Sequence, residues 1–270
     1  MLMTNFLSGR KSVREYKKKI VSPQQLETIQ EYLNLLEKED GTGKIKFRLY
    51  ENGNRIYDGL KGIGGYSGVM IESPHYIGLD IKDREDRNII YGAYYMEKLI
   101  TELHSMDLGT CWISVNDVKR ELKEELLGNI RGEINYLLAI GYGKPKNPFL
   151  NEPFSHRIGV DELVFQNKIG ESISYGELEN RALDDLFYYI RFSPSILNKQ
   201  PWRFLLEKDK LVLLIKYKDG EEANLIDAGI IMYYFEELGK AIGLSGKWTL
   251  IEGEEKVGED NYKFIAEIKL

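Results

Sequence analysis

Apolar positions along the 270 residues follow two rhythms, one helical and one extended. Leu26, Ile29, Leu33 and Leu36 recur at helical spacing, behind Ser22 as the cap, Pro23 at the first helical position and Gln25 completing a capping-box pattern. From about Arg87 to Met106 the apolar residues (Ile89, Ile90, Ala93, Met96, Leu99, Ile100 and Leu103 among them) cover more than one stripe, which predicts a central, buried helix. DVKRELKEELLG (117–128) predicts a shorter helix that its glycine ends. KIKFRLY (44–50), HYIGLDI (75–81) and INYLLAI (134–140) read as strands, with the glycine-rich NGNRIYDGLKGIGGYSG as a loop between the first two. A proline-broken connection, GYGKPKNPFLNEPFSHR, follows.

The second half repeats this plan. Trp112 set on Trp248, an offset of 136 residues (248 − 112), also sets Leu108 on Leu244, Met96 on Met232 and HYIGLDI on LVLLIKY (211–217). Two buried helices can share apolar matches by accident, but here a strand, a helix and a turn follow one offset in the same order. A helix capped by Ser174 with Glu177 precedes the loop PSILNKQPW (194–202), WRFLLE matches IKFRLY, and NYKFIAEI echoes NYLLAI.

Composition narrows the function classes. A net charge of -6 with both signs mixed along the chain argues against general nucleic-acid binding or an anionic-membrane footprint, so any basic cluster is local. Cys111 is the only cysteine, which excludes an intrachain disulfide and a thiol-based zinc site. His75, His104 and His156 are too scattered to suggest a metal. MLMTNFLSGRKSVR has its basic residues after a short apolar patch and lacks a signal core, and no apolar run approaches membrane-spanning length. The expectation is a soluble, cytoplasmic protein that binds neither membrane nor nucleic acid.

The two halves differ where chemistry is carried. The first opens with GRKSVREY (9–16), and in an extended segment Arg10, Ser12 and Arg14 share one side. Two guanidinium forks and a hydroxyl suit a phosphate, each charge-assisted bond being worth roughly 1.5 to 3 kcal/mol; the plain alternative is a solvated basic patch. The second half has no such opening, but it has PSILNKQPWRF where the first has DGTGKIKF. Prolines fix the shape of that loop while a serine and two carboxamides are displayed.

Together these segments resemble the nitroreductase family of FMN-dependent oxidoreductases. GRKSVREY is similar to the family's RxSxRxF opening, PSILNKQPWRF to its PSxxNxQPWxF motif, MDLGTCWI to its GLGTCWI turn, and LLAIGYGKPK with SHRIGVDELV to its closing strand and basic tail. The resemblance implies an α+β, three-layer fold. Ordinary members place all these motifs in one shorter chain, in another order, and bind two flavins at a homodimer interface. Here the resemblance implies two fused, pseudo-symmetric halves, 1–160 and 161–270, that mimic that dimer, with one FMN site per chain and a functional monomer. Carried over residue by residue, it implies that Arg10, Ser12, Arg14 and Arg157 hold the FMN phosphate. Pro194, Ser195, Asn198 and Gln200 would serve the isoalloxazine and ribityl chain. Leu108, Gly109 and Thr110 would offer backbone to the ring edge near N5 and O4, and Trp202 would belong to the core. Asp107 stands where the family has glycine, and Ser155 where a basic residue is common. GGYSGVMIESP leaves Tyr66 and Ser67 as the candidates for flavin N1. The implied activity is hydride transfer from NAD(P)H through flavin N5 to a nitroaromatic, quinone or similar small acceptor, with no catalytic side chain and no metal. Alternatives are reductive dehalogenation or flavin breakdown on the same scaffold, and a flavin-binding sensor or electron-transfer module without efficient turnover.

Other patterns carry less. GIGGYSG misses the third glycine of a dinucleotide fingerprint, and GYSGV lacks the last glycine of a nucleophile elbow. Cys111 beside the turn reads as a small buried hydrophobe.

Overall fold

The computed structural model describes residues 1–128, 130–145 and 155–270, so most of the proline-broken connection lies outside the described residues. Elements run α1 (Met3–Gly9), α2 (Pro23–Asp40), β1 (Ile45–Tyr50), α3 (Gly53–Leu60), β2 (His75–Ile81), α4 (Asp86–Ser105), β3 (Gly109–Ser114), α5 (Arg120–Leu127) and β4 (Glu133–Gly141). They continue with α6 (Val160–Leu163), β5 (Val164–Gln166), α7 (Tyr175–Asn180), α8 (Asp184–Ile190), β6 (Trp202–Leu206), β7 (Lys210–Lys218), α9 (Leu225–Ala241), β8 (Thr249–Leu250), β9 (Glu254–Val257) and β10 (Asp260–Lys269). The fold class is α+β. Among the described residues no helix is long and apolar enough to cross a membrane.

Two compact units emerge, one of Lys11–Asn88 with Tyr95–Glu152 and one of Met1–Arg10, Ile89–Tyr94 and Pro153–Leu270. The apolar start MLMTNFL forms α1, a helix the periodicity did not predict, and Phe6 buries against Tyr234 of α9, ring centroids 6.1 Å apart.

In the first unit the strand order is β1-β2-β4-β3, with every pairing antiparallel. Ser22 accepts from the Gln25 amide at 3.3 Å to start α2 as its capping pattern predicts. The expected loop after β1 instead contains α3, because Asn52 caps it through the Arg55 amide at 3.3 Å and Ile56 and Leu60 give it a buried face. Tyr76, Ile113, Leu137 and Ala139 join them in the core.

The second unit has the order β5-β6-β7-β10-β8, with β9 paired to β10 and only β5–β6 parallel. Taken as β6-β7-β10-β8, this is the first ladder again, a strand for a strand. Helix α9 is buried almost all round, as its lack of a polar face requires. The helix expected before PSILNKQPW divides into α7 and α8, because Ala182 turns left-handed at φ 54°.

The offset of 136 residues is followed atom by atom at the ends of α4 and α9. The Leu108 amide returns to the Leu103 carbonyl at 3.0 Å, and the Leu244 amide to Gly239 at 2.9 Å. Asp107 and Gly243, counterparts by the same offset, are both left-handed, at φ 59° and 82°. Glycine enters that conformation freely and aspartate tolerates it, which accounts for Asp107 where glycine is usual. Beyond this cap the halves diverge. Strand pairing sets Trp112 on Leu138 and Leu250 on Ala266, which places Leu250, not Trp248, level with Trp112 if β2 and β7 are aligned at the offset. The longer connection from Ile242 to β8 absorbs the two residues.

Within the second unit, the Ile89–Tyr94 segment of α4 lies against α9. A Cβ added at Gly229 would stand 1.9 Å from the Ile90 carbonyl oxygen and 2.9 Å from Ala93 Cβ. Ala93 and Gly229 are counterparts by the offset, so the two helices cross at matching positions, and only glycine permits that approach.

Candidate functional site

In the second unit, PSILNKQPW is a strained corner held by hydrogen bonds. Leu197, Asn198 and Gln200 have φ of 53°, 56° and 49°, a left-handed region that asparagine tolerates and that is costly for leucine and glutamine. Ile196 is fixed by its amide, which donates to Asp227 Oδ1 at 2.9 Å from the buried first turn of α9. The Gln200 amide donates to Ser195 Oγ at 2.9 Å, closing the loop on itself.

A second segment seals it. His156, Arg157 and Ile158 run alongside, and Gln200 bridges both. Its Oε1 accepts from the Ile158 amide at 3.0 Å, and its Nε2 donates to the His156 and Asn198 carbonyls, both at 3.1 Å. Asn198 Nδ2 donates to His156 O at 2.9 Å, and Arg157 Nη1 to Ser193 O at 2.8 Å. Gln200 is buried and both of its donors are used, so its part is to shape the loop. Among the described residues the Ser195 hydroxyl accepts but has no acceptor for its own proton, and Asn198 Oδ1 has no donor. Those two groups are the loop's unspent recognition. Trp202 is fully buried in the core as expected.

Arg157 is half-buried, and burial first and the Arg10 charge second lower its pKa from the usual arginine value. Among the described residues the Arg10 guanidinium has no hydrogen-bond or ion-pair partner, and Arg157 has only the Ser193 carbonyl. Two guanidiniums that repel each other without a carboxylate between them fit an anion.

In the first unit, Val13 anchors the GRKSVREY segment. Its amide donates to the Thr110 carbonyl at 2.9 Å, and its side chain fills the space that a Cβ at Gly109 would take, 2.6 Å from Val13 Cγ2. Ser12 and Arg14, flanking Val13 in the extended chain, therefore take the opposite side, as alternation predicts. Arg14 is exposed, with no side-chain partner among the described residues. Leu108 is buried and Gly109 half-buried, the glycine's open side being taken by Val13. Within the second unit, the donor set of two guanidiniums without a carboxylate partner, a serine hydroxyl and a carboxamide oxygen has the chemistry to meet a phosphate-bearing, hydroxyl-rich cofactor such as FMN.

Tyr66 and Ser67 do not join that turn. They form the tip of a tight turn closed by the Val69 amide to the Tyr66 carbonyl at 3.0 Å, with Ser67 and Gly68 both left-handed. The preceding Gly65 donates to Ser114 O at 2.8 Å, at the far end of β3, and five residues of strand separate that point from Gly109, roughly 17 Å.

Three positioning residues carried no sequence signal of their own. Arg203 is buried and donates to the Gln200 carbonyl at 3.0 Å and the Trp202 carbonyl at 2.6 Å, while burial lowers its pKa. Arg191 reaches Ile158 O at 3.2 Å, and Asp227 holds Ile196. The signal available was an arginine inside an otherwise apolar strand and an aspartate at the start of an apolar helix. Among the described residues no group of three or more His, Cys, Asp or Glu is placed to hold a metal.

The chain matches the family model described as "Putative TM nitroreductase" over residues 3–238. Its backbone is similar to the crystal structure of a "putative nitroreductase" from Thermotoga maritima, at 17% identity and a TM-score of 0.58, covering 98% of this chain and 94% of that one. Nitroreductase A from Vibrio parahaemolyticus aligns at 15% identity and a TM-score of 0.49, over 70% and 86% of the two chains. An FMN-dependent nitroreductase from Clostridium difficile aligns at 22% identity and a TM-score of 0.45, over 55% and 91%. No curated protein matches the sequence.

Proposed function

Because the chain belongs to the "Putative TM nitroreductase" family, we propose that it is an FMN-dependent oxidoreductase that takes electrons from NAD(P)H and passes them to a small nitroaromatic, quinone or similar acceptor. The observation that carries this reading is the unbalanced guanidinium pair, Arg10 and Arg157, beside a loop whose strain is maintained by buried hydrogen bonds. Strain of this kind persists where the surroundings over-determine it, and it gathers at ligand clamps.

Arg10, Ser12, Arg14 and Arg157 hold the phosphate. Ser195 donates its hydroxyl proton to the cofactor, Asn198 accepts through Oδ1, and Pro194 supplies a rigid apolar edge. Gly109 keeps backbone open to the ring, with Leu108 and Thr110 fixing it from the helix cap and the strand. Gln200 and Arg203 act through the loop. Bound FMN supplies reversible two-electron chemistry, and the protein supplies orientation and a tuned, partly dry environment. One flavin per chain and a functional monomer complete the reading.

The visible spectrum tests it. Purified protein is expected to be yellow with close to one FMN per chain, and anaerobic NADH or NADPH is expected to bleach it, with a quinone restoring the colour. Colourless protein that takes up no added FMN would end the reading. Flavin that neither nucleotide bleaches would leave a binding module in its place.

A further inference from the structure

We propose that Lys17, Lys18 and Lys19 recognise the 2′-phosphate of NADPH and make it the preferred reductant, an inference that rests on the flavin reading above. From Arg10 to Lys19 the chain holds six basic residues and one acidic residue, inside a protein whose net charge is -6. The contrast extends to pairing. Elsewhere cations are commonly matched, as in Lys44 with Asp83, Arg48 with Asp80, Lys98 with Glu39 and Lys256 with Asp219. Lys17, Lys18 and Lys19 are exposed and, among the described residues, none has a carboxylate partner.

The three charges also stand on an anchored segment. The Lys17 amide donates to the Tyr142 carbonyl at 2.8 Å, and the Lys144 amide returns to Glu15 O at 2.9 Å. Lys19 Nζ rests 4.5 Å from the centroid of the Tyr142 ring, and the Tyr142 hydroxyl is itself fixed on Gln25 Oε1 at 2.7 Å. The one acid in the run, Glu15, is answered by Lys144 Nζ at 3.7 Å. The ribbon is thus held in place before any ligand arrives, which reduces the ordering cost of binding.

The ligand class follows from charge. NADH carries a pyrophosphate, whereas NADPH adds a phosphomonoester with about 1.5 to 2 further negative charges at neutral pH. An acidic protein repels such a reductant unless a local positive field offsets the repulsion. Residues 17 and 19 lie roughly 7 Å apart and share one side of an extended chain, so two ammonium groups can meet one phosphate while Lys18 adds to the local positive field. Arg14 lies three residues earlier with the flavin phosphate, which places the ribbon next to the flavin and separate from its own anion.

The test measures binding as well as turnover. NADP+ and NAD+ are titrated calorimetrically into the FMN-loaded protein and into the variant Lys17→Gln/Lys18→Gln/Lys19→Gln, at low and at raised salt. The protein is expected to bind NADP+ about tenfold or more tighter than NAD+, one tenfold step being the contribution of one or two charge-assisted contacts. The triple variant is expected to collapse that ratio toward one, and raising ionic strength to shrink it in the unaltered protein only. Anaerobic bleaching by NADPH and NADH should show the same ratio. Equal affinity for the two nucleotides, or a preference that survives in the variant, overturns the inference while leaving the flavin reading standing. Protein without flavin, or flavin bleached by neither nucleotide, ends both.

Discussion

Two corners of the fold do the same job with opposite chemistry. Ahead of β1 the chain turns through Gly41 and Gly43, both left-handed at φ 68° and 66°, where glycine bears no steric cost. Ahead of β6, the matching strand of the second ladder, it turns through Leu197, Asn198 and Gln200 in the same left-handed region. The first corner is relaxed and closed by local contacts, such as the Lys44 amide on Thr42 Oγ1 at 3.1 Å. The second is costly at Leu197 and Gln200 and persists because Asp227, His156 and Ile158 grip it from distant sequence, with Arg203 bracing it locally. Two sheets of like strand order thus carry a plain connection in one and a braced loop in the other.

Several substitutions would break or sharpen this contrast. Gly229→Ala is expected to have the largest effect, destabilising by about 3 kcal/mol or more, since its methyl would enter the Ile90 carbonyl; the counterpart change Ala93→Gly should cost only about 1 kcal/mol of helix propensity. Thermal melts of the two variants measure that asymmetry between the central helices. Arg10→Ala and Arg157→Ala should each weaken FMN binding by roughly tenfold to a hundredfold, read by fluorescence as flavin is released, with little change in melting of the flavin-free protein. Unchanged affinity would place the phosphate elsewhere.

Gln200→Ala leaves the Ile158 amide and the His156 carbonyl without their bridge and should cost about 1 to 3 kcal/mol, against less than about 1 kcal/mol for Thr42→Ala at the relaxed corner. Equal losses would dissolve the distinction between them. A pH comparison separates the ladders as well. His75 in β2 accepts from the Val21 amide at 3.1 Å through Nε2 and meets Glu51 O at 2.8 Å through Nδ1, and burial foremost lowers its pKa. Above the unfolded value of about 6.5 it is neutral in both states and contributes no pH dependence; as pH falls below that value the unfolded chain takes up the proton first, so stability drops. Its offset counterpart in β7 is Leu211, which cannot titrate. Urea midpoints from pH 7 to 5 should therefore slope less in His75→Leu than in the parent. The smallest effect is expected from Leu197→Gly, which should stabilise by about 1 kcal/mol or less, because an exposed leucine leaves the left-handed region to a residue that accepts it. A loss of stability there would mean the corner is not strained.

Much of the scaffold was legible from residue order. The caps at Ser22 and Ser174, the buried α4 and the strands β1, β2, β4, β6, β7 and β10 follow from short-range rules of spacing and side-chain type, whereas β3, β5, β8 and β9 were not read, and the hydrogen bonds that end α4 and α9 match at the offset of 136 residues. The glycines around α3 outweigh its Asn52 cap as a local signal, and α1, about two turns long with Phe6 and Leu7 as its buried residues, is too short to show a period.

The site divides along the same line. Motifs named Arg10, Ser12, Arg14, Arg157 and the PSILNKQPW loop, because guanidinium, hydroxyl and carboxamide chemistry belongs to the residue itself. Their duties were decided in three dimensions: Gln200 became a brace once Ile158 and His156 met it across more than forty residues of chain. Sequence by itself determined the periods, the repeat and the chemical vocabulary, since these are properties of near neighbours. Tertiary structure alone decided which groups remain free to meet a ligand, since a hydrogen bond already made to a distant carbonyl cannot be read from the residue that makes it.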